Sequence, residues 1–130
     1  MILHSTIEAA NIECKFDSNT QRGGEELYRC HIQNKEIFTS GTRTKLDSAN
    51  GPHESGKSND DVTAIEIDGA AKLTHFPENL DKVFKNLIYI SIISTGLKEI
   101  TSNDLRPFPS LQFLHLQSNK LKTIQSDLFQ

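Results

Sequence analysis

Residues 87–92 read LIYISI, and the spacing of their apolar side chains decides the fold that the sequence predicts. Residues 111–116 (LQFLHL) repeat the spacing 24 residues later, and residues 62–67 (VTAIEI) precede it by 25 residues. In each copy the first, fourth and sixth positions are apolar. The alternation at the end of each copy indicates a short strand with one buried face. Three such strands therefore recur at a regular interval.

The apolar pattern continues beyond the strands at matching offsets, with Leu97 and Ile100 in the second copy and Leu121 and Ile124 in the third. Asn119 precedes the last pair, at the place where a side-chain amide can bind backbone groups exposed at a strand end. This is the leucine-rich-repeat signature L-x-x-L-x-L-x-x-N-x-L at its usual period. We therefore predict a right-handed α/β solenoid whose short parallel strands line a concave face. Its repeats would be 62–86, 87–110 and a truncated 111–130.

The first 38 residues predict an amino-terminal β-hairpin cap for this solenoid. Alternating apolar residues place Cys14 and Cys30 on one face of two strands. A register that pairs these cysteines also matches Ile12 with Ile32 and Phe16 with Tyr28. A disulfide between them would stabilise the fold by about 3 kcal/mol in the chain-entropy model.

Between the cap and the repeats, residues 39–61 form a polar stretch, and only Leu46 and Ala49 among them are apolar. So polar a segment cannot bury enough surface to offset the entropy of ordering it, which predicts a flexible loop.

Length and charge exclude several classes of function. The chain has 130 residues and a net charge of −3, so we expect neither a multidomain enzyme nor a nucleic-acid-binding module. Its apolar runs are too short for a membrane span. No histidine stands at metal-ligand spacing from another ligand except His31 beside Cys30, and these two point to opposite faces of a strand. We therefore expect no metal, no cofactor and no catalytic residue.

One alternative motif lies within the polar segment. Residues 51–58 (GPHESGKS) fit the phosphate-binding pattern G-x-x-x-x-G-K-[ST], in which Lys57 would contact phosphates and Ser58 would bind magnesium. That motif requires a buried strand before it and a helix after it, and the flanking sequence predicts neither. Nucleotide binding is thus an alternative hypothesis, and a remnant without independent function is another.

The predicted strands display a set of side chains on the concave surface. Equivalent positions form columns, one of Ala64, Tyr89 and Phe113 and another of Glu66, Ser91 and His115. Exposed aromatic residues are frequent anchors for protein partners. We therefore predict that a protein or peptide ligand binds through five residues of this surface: Tyr89, Ser91, Phe113, His115 and Gln117. If the last repeat is uncovered, its Leu121, Ile124 and Phe129 would favour self-association.

Several short motifs resemble those of secreted leucine-rich-repeat proteins of insects, particularly flies and midges. They are 56–62 (GKSNDDV), 76–77 (FP), 79–80 (NL), 97–100 (LKEI), 104–105 (DL), 108–109 (FP) and 127–129 (DLF). The resemblance implies an extracellular, non-catalytic binding module. Members of that family generally carry a signal peptide and more repeats, so we expect this chain to be a fragment of a longer secreted protein.

Overall fold

The computed structural model of the protein describes residues 9–20 and 24–122. Within these ranges the chain forms six strands and four short helices. The strands are β1 (Ala10–Thr20), β2 (Glu26–Ile32), β3 (Leu46–Asn50), β4 (Ala64–Asp68), β5 (Tyr89–Ile93) and β6 (Phe113–His115). The α-helices are α1 (Leu80–Val83) and α2 (Ser102–Leu105), and the 3-10 helices are Lys35–Ile37 and Asn59–Asp61.

The six strands form one mixed sheet in the order β3-β1-β2-β4-β5-β6. β1 and β2 are antiparallel, whereas the other four pairings are parallel. The parallel part is in register at the positions that the sequence period marks, with Ile65 opposite Ile90 and Ile90 opposite Leu114. These residues all point to the same side of the sheet and enter the core.

The predicted leucine-rich-repeat solenoid is wrong as a description of this fold. The structure is a small mixed sheet in which the antiparallel pair is continuous with the parallel strands through the β2–β4 pairing. The two α-helices contain only four residues each. The apolar alternation that gave the prediction specifies the buried face of each strand, but it carries no information about the strands that pair on either side.

The segment 39–61 contributes β3 and the 3-10 helix Asn59–Asp61, which its polar composition did not predict. β3 pairs in parallel with β1 at one edge of the sheet. Its two apolar residues, Leu46 and Ala49, are both buried. Burial of these two side chains and backbone pairing with β1 together hold this short edge strand.

The disulfide between Cys14 and Cys30 is confirmed, with a Cα–Cα distance of 5.2 Å. The predicted direct pairing of these residues is wrong, because the hairpin places Cys14 opposite Ile32 and Phe16 opposite Cys30. The two cysteines are thus diagonal neighbours. A shift of two residues leaves the same side chains on the inner face, so alternation alone could not distinguish the two registers.

Asn119 ties the carboxyl ends of β5 and β6 to the turns that follow them. Its Nδ2 donates to the carbonyl oxygens of Ile92 at 2.6 Å and Leu116 at 3.0 Å. Its Oδ1 accepts from the Thr95 amide at 2.9 Å and the Thr95 hydroxyl at 2.7 Å. The side chain therefore satisfies backbone groups at the strand ends, the role that the sequence predicted for it.

Removing the disulfide should lower the free energy of unfolding by about 3 kcal/mol, because the unfolded chain regains the entropy of an open loop. Urea denaturation of Cys14→Ala/Cys30→Ala against the unmodified protein measures this difference. Reduction of the unmodified protein keeps both sulfur atoms in the core and should reproduce most of the loss. An unchanged denaturation midpoint after complete reduction would contradict the prediction.

Asn119→Ala should lower the free energy of unfolding by about 2–3 kcal/mol, because it leaves the buried Thr95 amide and hydroxyl without this acceptor. Asn103→Ala is the matched control. Asn103 is exposed and its side chain accepts one hydrogen bond from Arg106, so its loss should cost less than about 0.5 kcal/mol. Equal losses in the two variants, measured by urea denaturation, would be evidence against the role of Asn119.

Candidate functional site

One face of the sheet carries polar and aromatic side chains, and we call it the outer face. Strand register aligns its residues in two rows that cross the sheet. The first row is Asp17, Arg29, Ala64, Tyr89 and Phe113, and the second is Lys15, His31, Glu66, Ser91 and His115. The outer face thus draws on five strands, β1, β2, β4, β5 and β6.

The structure brings together four of the five residues that the sequence predicted as a binding surface. Tyr89 lies opposite Phe113, and Ser91 lies opposite His115. Gln117 follows β6, and its carbonyl oxygen accepts the Ser94 amide at 3.1 Å. The columns expected from the period are therefore present as neighbours across β4, β5 and β6.

Three rings form an aromatic group at the β6 side of the outer face. The Tyr89 ring centroid is 6.1 Å from that of Phe113 and 5.0 Å from that of His115. Phe113 is 38% exposed, and it is the one large apolar residue in the exposed class within the described ranges. Ser91 is buried although it belongs to this face, because the larger side chains around it cover it. The group is consequently an aromatic patch that includes one well-exposed ring.

Four charged or titratable residues form a network on the β1 side of the outer face, which sequence reasoning did not predict. Arg29 binds Asp17 through two hydrogen bonds, Nε to Oδ1 at 2.9 Å and Nη2 to Oδ2 at 3.0 Å. Its Nη1 donates to Glu66 Oε1 at 3.3 Å. His31 lies between the two carboxylates, with Nε2 3.0 Å from Asp17 Oδ1 and Nδ1 2.9 Å from Glu66 Oε2.

The network shifts the protonation equilibria of its members. Burial raises the pKa of Asp17, but hydrogen bonds from Arg29 and His31 and the charges of these residues outweigh that effect, so the pKa lies below its ordinary value of 3.8. The hydrogen bonds to Asp17 raise the pKa of Arg29. Burial raises the pKa of Tyr89, and the negative charge of Glu66 raises it further. Glu66 therefore links the charged network electrostatically to the aromatic group.

Segment 51–58, the candidate phosphate-binding loop, packs across the hairpin instead of forming an open cradle. Lys57 Nζ lies 5.4 Å from the centroid of the Tyr28 ring. The Ser58 hydroxyl accepts the Asp60 amide and caps a 3-10 helix of three residues. The two side chains that would bind phosphate and magnesium thus have structural contacts, and the long helix that such a loop requires is absent from the residues that follow it.

His53 fixes the same segment to the hairpin. Its ring stacks on Phe16 with centroids 3.9 Å apart. The Tyr28 hydroxyl accepts the Glu54 amide at 3.0 Å and lies 2.8 Å from His53 Nδ1, while Nε2 lies 2.9 Å from Asn59 Oδ1. A neutral imidazole with its proton on Nε2 satisfies every partner in this chain of hydrogen bonds.

A pocket of about 230 Å³ lies away from the outer face, around α1 and α2. Arg43 crosses it and binds the buried Asp104 at 2.6 Å and the Phe76 carbonyl oxygen at 2.8 Å. Both partners hold the guanidinium in place. We therefore interpret the Arg43–Asp104 ion pair as structural, because it joins the segment before β3 to α2.

The described residues contain neither a metal-binding cluster nor a membrane-spanning helix. Across residues 9–20 and 24–122, no cluster of three or more histidine, cysteine or acidic side chains is arranged to hold a metal ion. Among the helices of these same ranges, none has both the length and the hydropathy needed to cross a bilayer.

Comparison of the chain with protein families, curated proteins and solved structures gives no match in any of the three. The resemblance to insect secreted proteins therefore stays a prediction. Geometry alone identifies the outer face as the candidate site.

Arg29→Met should raise the pKa of Asp17 towards 3.8, because it removes the two hydrogen bonds and the positive charge that stabilise the carboxylate. The folded pKa is below the unfolded value, so this group stabilises the fold above pH 3.8 and loses that contribution as the pH falls through the folded pKa. Carboxyl ¹³C NMR titration measures the shift. Arg106→Met, which changes an arginine that binds Asn103, should leave the Asp17 titration unchanged. If Arg29→Met also leaves it unchanged, the assigned cause is wrong.

Proposed function

We propose that this chain is a non-catalytic binding module that recognises a protein or peptide through the outer face. The observation that carries the proposal is the aromatic group of Tyr89, Phe113 and His115, which sits on a sheet and includes a well-exposed phenyl ring. Aromatic side chains bury a large area at low entropic cost and dominate the energetics of many protein interfaces.

The surroundings of the aromatic group suit this role. The charged network borders it on the β4 side, where Glu66 lies opposite the buried Ser91. An apolar centre with a polar border is the usual composition of a protein interface. The rings stand on paired strands, so little ordering would be required on binding.

We propose further that the chain works in an oxidising, extracellular compartment. The Cys14–Cys30 disulfide is compatible with that location, because such bonds persist outside the reducing cytosol. The predicted self-association depends partly on Ile124 and Phe129, which lie outside the described residues.

Selection from a displayed library of random peptides tests the proposed site. The intact chain is immobilised, and enriched peptides are measured again on single variants. Phe113→Ser or Tyr89→Ser should weaken binding about 30-fold, the effect of losing a dominant interface residue. Glu99→Ser, a change of an exposed residue away from the outer face, is the control and should leave affinity unchanged.

Two results would contradict the proposal. One is the absence of any peptide enriched above the empty support. The other is a set of binders whose affinity is the same for the unmodified protein, Phe113→Ser and Tyr89→Ser. Circular dichroism of each variant establishes that the sheet is intact before affinities are compared.

A further inference from the structure

The outer face has two halves, the charged network on the β1 side and the aromatic group on the β6 side. Glu66 lies between them. On one side it contacts Arg29 and His31, and on the other it lies opposite Ser91 beside the aromatic group. Its side chain is 25% exposed, so part of it is accessible to a ligand on the outer face. Any partner that covers Tyr89 and His115 would therefore also cover or contact Glu66.

The charges of the network do not balance when His31 is neutral. Asp17 takes the guanidinium of Arg29 in a two-point contact, whereas Glu66 receives only the single, longer contact at 3.3 Å. Two carboxylates then share one guanidinium, and Glu66 has the weaker contact with it. The other cationic residue nearby, Lys15, lies opposite His31 on β1, at the far side of the network from Glu66. Exposed Asp68, at the end of β4, adds a further negative charge near Glu66.

The negative charge of Glu66 also acts on the phenol of Tyr89. Strand register places Tyr89 opposite Ala64 and Glu66 opposite Ser91, so Tyr89 and Glu66 are diagonal neighbours on the outer face. Burial raises the pKa of the phenol, and the negative charge of Glu66 raises it further, while the charge of Arg29 lowers it. An aromatic ring beside a carboxylate is a favourable environment for an ammonium or guanidinium group, because the ring face and the carboxylate both attract positive charge.

We propose that the partner inserts a cationic side chain, an arginine or a lysine, at Glu66 beside the Tyr89 ring, and that protonated His31 competes with it for the carboxylate. The inference rests on the proposed function and adds the chemistry of the partner. Arginine suits the position better than lysine, because its planar fork can bind a carboxylate at two points and stack on an aromatic ring.

The direction of the pH dependence follows from the groups that face His31. Asp17 and Lys15 face it from β1, Arg29 neighbours it on β2, and Glu66 faces it from β4. Below the titration midpoint of His31 the imidazolium neutralises Glu66, and a cationic ligand must displace it. Above the midpoint Glu66 keeps its 3.3 Å contact with Arg29 but loses the imidazolium, and the ligand can bind in its place. Binding should therefore strengthen as the pH rises through the His31 midpoint.

NMR titration of the full chain with short peptides tests the proposal. The probe is acetyl-Gly-Arg-Gly-amide, and the matched neutral probe replaces arginine with citrulline. At a pH well above the His31 midpoint, the arginine probe should shift the backbone amide signals of β4 and β5 and bind about fivefold more tightly than the citrulline probe. One pH unit below the midpoint, measured in the same spectra, its affinity should fall about fourfold, close to that of the citrulline probe, because about nine-tenths of His31 is then protonated and competes for Glu66.

Three variants assign the effects to residues. Glu66→Gln should remove the preference for arginine, and His31→Gln should remove the pH dependence while keeping the preference. His75→Gln, which changes a histidine that contacts Thr74 away from the outer face, should keep both. The same spectra show whether each variant is folded, and the comparison of the two probes on the unmodified protein needs no variant.

Equal affinity for the two probes, or a preference for arginine that is unaltered in Glu66→Gln, would overturn the cationic partner. Affinity that is constant across the His31 titration would overturn the competition by His31. These failures are distinguishable from failure of the proposed function. Library peptides that depend on Tyr89 and Phe113 but need no cationic residue would leave that function standing and remove only this inference.

Discussion

The parallel pairing of β2 with β4 is the interaction on which the rest of the structure depends. It is a short seam of three residue pairs, Arg29 with Ala64, Cys30 with Ile65, and His31 with Glu66. The seam joins the antiparallel hairpin to the three parallel strands and so makes one sheet out of two sequence patterns. The pair of Cys30 with Ile65 faces inward, so the disulfide lies next to the core. The other two pairs face outward and bring Arg29 and His31 beside Glu66. Without the seam, Glu66 would not join the contacts that Asp17 makes with Arg29 and His31 inside the hairpin.

Segment 51–58 stabilises the hairpin by packing across both of its strands, β1 and β2. Gly51 has a φ of 141°, and a Cβ at this position would overlap the carbonyl oxygen of Cys14, so only glycine allows the segment to approach so closely. His53 then stacks on Phe16, and the Lys57 ammonium lies over Tyr28. The same glycine, lysine and serine residues that match a phosphate-binding pattern thus serve packing and capping, which shows why such a pattern needs its structural context before it indicates a nucleotide site.

The sequence predicted what depends on local spacing and missed what depends on pairing between distant strands. The period placed Tyr89 next to Phe113 and Ser91 next to His115, and the role of Asn119 followed from its position after a strand. The overall architecture, the hairpin register and β3 were not predicted correctly. Each depends on which strand edges meet, and a shift of two residues or an added edge strand leaves the apolar alternation unchanged. The network of Asp17, Arg29, His31 and Glu66 was missed for the same reason, because its members come from three strands.

The two halves of the outer face are better understood together than separately. An aromatic patch alone would bind apolar segments with little selectivity, since its attraction is proportional to area and has no direction. A satisfied ion-pair network alone would contribute little affinity, because its charges already have partners. Here one carboxylate, Glu66, contacts Arg29 and His31 and lies beside the aromatic group, and on our proposal protonated His31 competes with a cationic partner for it. Selectivity for positive charge can then arise where the aromatic contact supplies affinity, and the sheet needs no moving segment to combine the two. The charge of Glu66 would therefore decide which partner binds this surface, while the aromatic rings supply the apolar contact.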